Sequence, residues 1–195
     1  MISKDVTFGT TASNIVPIDK IELAARLGKG ILVDSNIIKQ HIDKFNEKVI
    51  YRYAYVKVPC KCVDNVCYID DEVVSSSSLS RALKDSNHVI LLAVTASINV
   101  DQLIAKAMLQ NASSGFYIDA IASAGIESYI EYITHDICNG LNVTNRFSPG
   151  YADFPLEFQK FLLERLSAKE NLGIMLSSDY LMIPTKSITA VIGVK

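Results

Sequence analysis

The sequence predicts an α+β protein with a mixed, largely antiparallel twisted sheet flanked by helices. Helix-like and strand-like segments follow one another without the repeated strand–helix–strand order of a doubly wound fold. Residues 88–95 are apolar almost throughout, which is typical of a central strand covered on both faces. A long segment ending near Gly140 carries apolar residues at helical spacing and predicts the longest helix of the chain.

Composition limits the class of protein before any motif is considered. With 19 Lys and Arg against 21 Asp and Glu, the net charge is −2, so a basic surface for nucleic acid is not expected. A hydrophobic fraction of 49% excludes a disordered chain. No apolar run approaches the roughly 18 residues of a membrane-spanning helix, and the first residues do not resemble a signal peptide. We therefore expect a cytoplasmic protein that binds neither nucleic acid nor membrane.

The first part of the chain predicts helices followed by a β-hairpin. Pro17 near a helix start and Gly28 as a stop delimit a helix over residues 17–28. A second amphipathic helix is predicted over residues 35–48. Since a chain of 195 residues usually forms one domain, we expect residues 1–195 to be a single domain.

A hairpin follows the second helix. Alternating tyrosines begin a β-rich stretch over residues 51–59, and residues 66–69 pair back on it through the turn-forming pair Asp64-Asn65. In this division residues 1–87 form a lobe of helices and hairpin, and residues 88–195 form the core that carries the motifs.

Four cysteines accompany these elements. Cys60, Cys62 and Cys67 cluster in the hairpin, and Cys138 is distant. Because disulfides are rare in a reducing compartment, we expect these thiols to be small apolar residues without a disulfide. A three-thiolate metal site or a redox role for the cluster is the alternative, although the spacing matches no common zinc motif.

The first part ends with a short helix over residues 78–84, capped from the serine run 75–78. The buried strand 88–95 is next, and Asn99 with Gln102 resembles a capping box for a helix that ends near residue 110. Ser113 or Ser114 is expected to start the longest helix. An irregular loop over residues 141–154 follows, and the remaining elements are a helix over 155–166 and strands over 173–176, 181–183 and 187–194.

A candidate site lies in the loop, in the run from Arg146 to Tyr151. Pro149-Gly150 suits the centre of a type II turn, because proline presets φ and glycine accepts a positive φ. Arg146 carries a planar fork suited to a carboxylate or phosphate, and Tyr151 offers a flat face and a hydroxyl. The alternative is an ordinary tight turn with a surface arginine.

A second feature is a polar stripe on the longest helix. Asp119, Ser123, Glu127 and Glu131 repeat every four residues and so share one face. The alternative is a merely solvated face. Small residues beside the stripe, from Ala120 to Gly125, favour close approach of another element.

No catalytic residue and no metal site is predicted. The three histidines, His41, His88 and His135, have no second ligand at metal spacing, and no nucleophile–histidine–acid order stands out. Structural or surface roles are the better interpretation for all three.

These motifs together resemble a known family. The segment RFSPGYADFP (146–155), the later Met182-Ile183-Pro184 and the Ala-Val-Thr strand that ends at Thr95 are similar to the activation domain of cobalamin-dependent methionine synthase. The resemblance covers about residues 88–192. The first 85 residues carry no comparable match.

The resemblance implies a fold and a function. The fold would be that of the methionine synthase activation domain, which binds S-adenosylmethionine in a shallow groove and docks over cobalamin. The methyl group of S-adenosylmethionine and an electron from a flavodoxin-type donor then restore methylcobalamin, so cobalamin would be carried by the partner. Carried over by position, Arg146 would hold the ligand carboxylate, Glu127 its cationic end, Ser148 and Gly150 would offer backbone contacts, and Tyr151 would lie near the corrin.

The resemblance also implies how the chain would work. It would be an accessory component acting in trans on a cobalamin-dependent methionine synthase that lacks its own activation domain, and it would not be a self-sufficient methyltransferase. The alternative is a non-catalytic docking module for a corrinoid protein that has lost S-adenosylmethionine binding.

Overall fold

The computed structural model describes residues 5–12 and 15–195. These residues form eight strands: Thr7–Thr11 (β1), Tyr51–Val63 (β2), Val66–Ile69 (β3), Glu72–Ser75 (β4), His88–Thr95 (β5), Met175–Leu176 (β6), Met182–Ile183 (β7) and Ser187–Val194 (β8). Seven helices lie in the same described part of the chain: Lys20–Leu27 (α1), Asn36–Asn46 (α2), Ser77–Ala82 (α3), Ile98–Gln110 (α4), Ala112–Ile137 (α5), Phe158–Arg165 (α6) and Ala168–Leu172 (α7).

The main sheet has the strand order β4-β3-β2-β5-β8, and β1 pairs with the first residues of β2. The six pairings between named strands of the described chain are all antiparallel. Strands β6 and β7 form a separate two-stranded sheet. The predicted α+β class with a largely antiparallel sheet is confirmed.

Strand β5 is buried on both faces, as its apolar run predicts. Val89, Leu91 and Ala93 belong to one hydrophobic cluster, whereas the alternate residues Ile90 and Leu92 belong to another. The first cluster includes apolar residues of α3, α6 and α7, and the second includes those of α1, α2 and α5. The sheet therefore lies between two helical layers, because successive side chains of a strand point to opposite faces.

The small residues of α5 allow the close approach that their size predicts. A Cβ atom added to Gly125 would lie 2.6 Å from the hydroxyl of Tyr51 and 3.1 Å from the ring of Phe45. Tyr51 in turn stacks on Tyr129 of the same helix, with ring centroids 4.4 Å apart. Helix α5 is thus seated directly on the start of β2.

The helix starts confirm one capping prediction and correct two. Ser76 of the serine run caps α3, since its hydroxyl accepts a hydrogen bond from the Leu79 amide at 3.0 Å. The longest helix begins earlier than expected and is capped by Asn111. The Asn99 cap is wrong, because α4 begins at Ile98 after Ser97, whose φ is +72°.

The expectation that the hairpin cysteines form no disulfide is wrong for two of them. Cys62 and Cys67 are directly opposite in the β2–β3 pairing and form a disulfide. Pro59 and Asp70, three register steps from Cys62 and Cys67, are a hydrogen-bonded pair, because the Asp70 amide donates to the Pro59 carbonyl. Hydrogen-bonded and non-hydrogen-bonded pairs alternate along an antiparallel ladder, so Cys62 and Cys67 are a non-hydrogen-bonded pair. Side chains approach most closely at such pairs, and this explains the pairing.

The remaining thiols do not favour a metal or redox role for the cluster. Cys60 is buried with its Sγ 4.0 Å from that of Cys62, and burial raises the pKa of its thiol to about 11. A protonated thiol is a poor nucleophile and metal ligand. Within the described part of the chain, no three His, Cys, Asp or Glu side chains are grouped so that they could hold a metal ion.

Three short elements were not predicted, namely β1, β4 and α7. Strand β2 also extends four residues beyond the predicted end to reach the hairpin turn, and α6 starts at Phe158 instead of residue 155. In residues 5–12 and 15–195, no helix has both the length and the apolar character that crossing a membrane requires.

Candidate ligand-binding cleft

A cleft of about 780 Å³ opens where the C-terminal half of α5 faces the loop that precedes α6. Its remaining wall is formed by Gln159 of α6, Met182 of β7 and the first residues of β8. Of the predicted site residues, four line the cleft: Glu127, Arg146, Ser148 and Tyr151. Gly150 lies in the same turn but is not among the lining residues.

The polar stripe of α5 faces other elements and is not a merely solvated face. The Lys186 ammonium, just before β8, lies 2.8 Å from Asp119 and donates to the Ser123 hydroxyl at 2.8 Å. One turn further along, Glu127 meets Arg146 of the loop, and Glu131 lines the cleft beyond it. The stripe therefore joins α5 to the residue that precedes β8 and to the loop of the cleft.

Glu127 lies between two arginines. Its Oε2 is 3.4 Å from a guanidinium nitrogen of Arg146, and its Oε1 is 4.0 Å from one of Arg26 in α1. Arg26 is held more tightly by Glu22, at 2.6 Å. The Arg146 and Glu127 side chains are 26% and 36% exposed, and ion pairs of that exposure contribute about 0–1 kcal/mol. Both charges are therefore open to competition from a ligand.

The loop adopts the turn that Pro149-Gly150 predicts. The Tyr151 amide donates to the Ser148 carbonyl at 3.2 Å, and Gly150 has a φ of +88°. A side chain is strained at this φ, so glycine is required there. The Gly150 amide donates to the Phe154 carbonyl at 2.9 Å, which leaves the Gly150 carbonyl as the backbone group it can offer.

Aromatic residues lie both under the loop, packed against the core, and on its exposed surface. The Phe147 backbone exchanges two hydrogen bonds with Val191 of β8, at 2.9 and 2.8 Å. Its ring stacks on Phe154, which is only 1% exposed. Tyr151, in contrast, is 67% exposed at the mouth of the cleft. The loop is therefore fixed at its ends and presents a free aromatic face to solvent.

A buried polar pair in the cleft wall was missed by the sequence prediction. Gln159 is 5% exposed; its Nε2 donates to the Tyr180 carbonyl at 2.6 Å and its Oε1 accepts from the Thr189 hydroxyl at 3.0 Å. Gln159 thereby ties α6 both to β8 and to the turn before β7. No local signal marks it, because a glutamine on an amphipathic helix ordinarily faces water.

A second missed residue is Asp153, two positions after Tyr151. Its carboxylate accepts hydrogen bonds from Ser76, Ser77 and Ser78 at the start of α3. These hydrogen bonds hold the pKa of Asp153 well below its usual range. The serine run, predicted only as a helix cap, thus also contacts the loop of the cleft.

Comparison with known proteins yields one kind of match. No protein-family model matches the sequence, and no curated protein matches it. Among solved structures, the chain is similar to a crystal structure of the MetH reactivation domain bound to AdoHcy, with a TM-score of 0.72 and 15% sequence identity. The match covers 97% of this chain and 78% of that one. At this identity the likeness shows a shared fold, in agreement with the fold that the motifs imply.

Proposed function

We propose that this protein binds S-adenosylmethionine in the cleft and serves as a reactivation module for a cobalamin-dependent methionine synthase. It acts in trans on a synthase that lacks its own activation domain, in the cytoplasm, with a flavodoxin-type protein as electron donor. Glu127, Arg146, Ser148, Gly150 and Tyr151 form the ligand site. The observation that carries the proposal is the adjacency of Arg146 and Glu127 on the cleft wall.

The charges of the cleft suit the amino-acid end of the ligand. In S-adenosylmethionine the carboxylate and the ammonium are attached to one carbon atom, so the ligand presents both charges side by side. Arg146 and Glu127 are likewise side by side, 3.4 Å apart on opposing elements. Exchange of their weak mutual pair for two charge-assisted hydrogen bonds to the ligand is favourable, because such bonds are the stronger kind.

The size and lining of the cleft also suit this ligand. At about 780 Å³ it falls within the range of roughly 300–1,000 Å³ that is usual for small-molecule sites. Phe147, Ile188 and Met182 supply apolar lining for a nucleoside, and Ser148 and Thr189 supply polar groups. The donor set therefore fits S-adenosylmethionine at both its charged and its apolar parts.

The chain's own residues would bind and orient; the chemistry comes from the ligand and the partner. When bound, S-adenosylmethionine supplies the methyl group that the partner's cobalamin accepts. Arg146 and Glu127 would fix the amino-acid end, and the turn at Ser148–Tyr151 would place the exposed Tyr151 face toward the docked protein. On this view the chain is an accessory component and contributes no catalytic residue.

Isothermal titration with S-adenosylmethionine and S-adenosylhomocysteine tests the ligand site. We expect Arg146→Ala to weaken binding about 10- to 100-fold, because a hydrogen bond to a charged group is worth roughly 1.5–3 kcal/mol. Arg165→Ala is the matched control: Arg165 pairs with Asp70 at 2.6 Å and is similarly buried, but it is outside the cleft. Absence of binding by the wild-type protein, or equal binding by the Arg146→Ala variant, would contradict the proposal.

The function in trans requires a second assay. A synthase without an activation domain, with oxidised cobalamin, is mixed with this protein, S-adenosylmethionine and a reduced flavodoxin, and methylcobalamin is followed by its absorbance. We expect recovery with the wild-type protein and none with Arg146→Ala. Recovery by the variant would favour the alternative, a docking module that does not use the ligand.

A further inference from the structure

Asp153 makes the densest set of side-chain hydrogen bonds around the loop of the cleft. Its Oδ1 accepts from the Ser76 hydroxyl at 2.8 Å and from the Ser78 amide at 3.0 Å. Its Oδ2 accepts from both the amide and the hydroxyl of Ser77, each at 2.7 Å. All four donors belong to one segment, which lies more than 70 residues earlier in the chain. One carboxylate therefore joins the two halves of the sequence beside the cleft.

The serine segment is itself held in place, so it can serve as an anchor. The Ser76 amide donates to the Asn65 carbonyl at 2.8 Å, and the Ser80 hydroxyl donates to the Asp64 carbonyl at 2.7 Å. Both carbonyls belong to the turn of the β2–β3 hairpin, which the Cys62–Cys67 disulfide closes. The donors to Asp153 are thus backed by a covalently braced turn.

The loop depends on this anchor at one particular place. Before the turn, Phe147 is paired with Val191 of β8; after it, the ring of Phe154 is buried. Ala152, between the turn and Asp153, has a φ of +50°, a conformation that non-glycine residues seldom adopt without local support. Asp153 is the neighbour that supplies such support, through its bonds to the serine segment.

We propose that Asp153 is a positioning residue of the ligand-binding cleft: by binding Ser76–Ser78 it holds Ser148–Tyr151 in the conformation that receives the ligand. The inference rests on the proposed function for its ligand and on the contacts above for its mechanism. Asp153 does not line the cleft, so it acts on the ligand only through the turn. It also gives the first half of the chain a part in ligand binding.

The size of the effect follows from pre-organisation. The apparent dissociation constant rises in inverse proportion to the fraction of molecules in the competent conformation. If Asp153→Ala leaves the turn competent about a tenth of the time, the affinity for S-adenosylhomocysteine falls roughly tenfold. Since Phe147 and Phe154 still anchor the ends of the loop, the rest of the protein is expected to stay folded.

Hydrogen–deuterium exchange and calorimetry together test the inference. In Asp153→Ala we expect the hydrogen-bonded amides of the turn, those of Gly150 and Tyr151, to exchange at least about tenfold faster, with exchange in α5 unchanged. We also expect S-adenosylhomocysteine to bind roughly tenfold more weakly. Asp153→Asn keeps one carbonyl oxygen and is expected to be intermediate in both measurements. Asp70→Ala is the control, because it removes an aspartate whose carboxylate pairs with Arg165 instead of the serine segment.

The two measurements separate this inference from the proposed function. Unchanged exchange at the Gly150 and Tyr151 amides overturns the positioning role, whether or not a ligand binds. Faster exchange with unchanged affinity also overturns it, because the turn would then not control binding. If the wild-type protein binds no S-adenosylhomocysteine, the proposed function fails, and the exchange data alone then decide whether Asp153 holds the turn.

Discussion

Replacing Gln159 by leucine should destabilise the protein through one buried polar pair. The variant removes the hydrogen bond to the Tyr180 carbonyl and leaves the Thr189 hydroxyl, on a residue 2% exposed, without its partner. Each lost hydrogen bond is worth about 1 kcal/mol, and a buried group left unpaired costs about 1–3 kcal/mol. We therefore expect a loss of about 2–3 kcal/mol in the free energy of unfolding.

Urea denaturation measures this loss directly, with an unchanged m value showing that the compactness of both states is retained. For a chain of this length the melting temperature should fall by roughly 5–10 °C. Thr189→Val supplies the decisive comparison, because it removes the orphaned hydroxyl. The Gln159→Leu/Thr189→Val double variant should be about 1 kcal/mol more stable than the sum of the single effects predicts.

Two results would refute this reasoning. Strict additivity in the double variant would mean that the two side chains do not depend on one another. A Gln159→Leu variant within about 0.5 kcal/mol of the wild type would mean that neither partner is left unsatisfied, contrary to the burial of the pair.

Two further predictions concern the supports of the loop. The Cys62–Cys67 disulfide closes a loop with a sequence separation of 5, so its reduction should lower the free energy of unfolding by about 2 kcal/mol and the melting temperature by roughly 5 °C. A Cys62→Ser/Cys67→Ser variant should not respond to the reductant. A response of the variant equal to that of the wild type would count against the disulfide. Because the pKa of Asp153 is lowered on folding, its contribution to stability is complete above about pH 5 and is lost as the pH falls toward the folded value. The stability difference between the wild type and Asp153→Asn should therefore be smaller at pH 3 than at pH 6, and a constant difference would contradict this.

The elements that were predicted correctly are those whose own residues show a clear pattern of apolar positions. Strand β5 is apolar at every position from residue 89 to residue 94, and both of its faces are buried. Helix α5 combines apolar spacing with small residues, and it is seated on the sheet. Strand β1 lacks such a signal: Phe8 is 59% exposed, and its pairing is set by β2, which lies more than 40 residues later. The start of α4 is also set by a residue outside the helix, since the Ser97 amide donates to the hydroxyl of Thr95 at the end of β5.

The candidate site divides in the same way. The turn from Arg146 to Tyr151 and the polar stripe that contains Glu127 stand out by their chemistry and spacing, whereas the ligand-binding roles of Glu127 and Ser148 were implied by the family resemblance. Arg146, Glu127, Ser148 and Tyr151 all line one cleft. Their supports were missed because each acts through a distant contact, as Asp153 does with the serine segment. In the sequence such a residue looks like an ordinary polar residue on the surface.

Strand β2 carries a consequence for how this chain can be divided. Eight of its residues, Arg52 to Pro59, pair with β5, and its later residues pair with β3. The recognisable motifs begin only at residue 88, the first residue of β5, yet the likeness to the MetH reactivation domain extends over 97% of the chain. A cut at that point would separate β5 from its neighbour along its whole length and expose an apolar edge. In this protein the segment whose motifs can be recognised is therefore shorter than the segment that the complete sheet requires, because the sheet also includes β2.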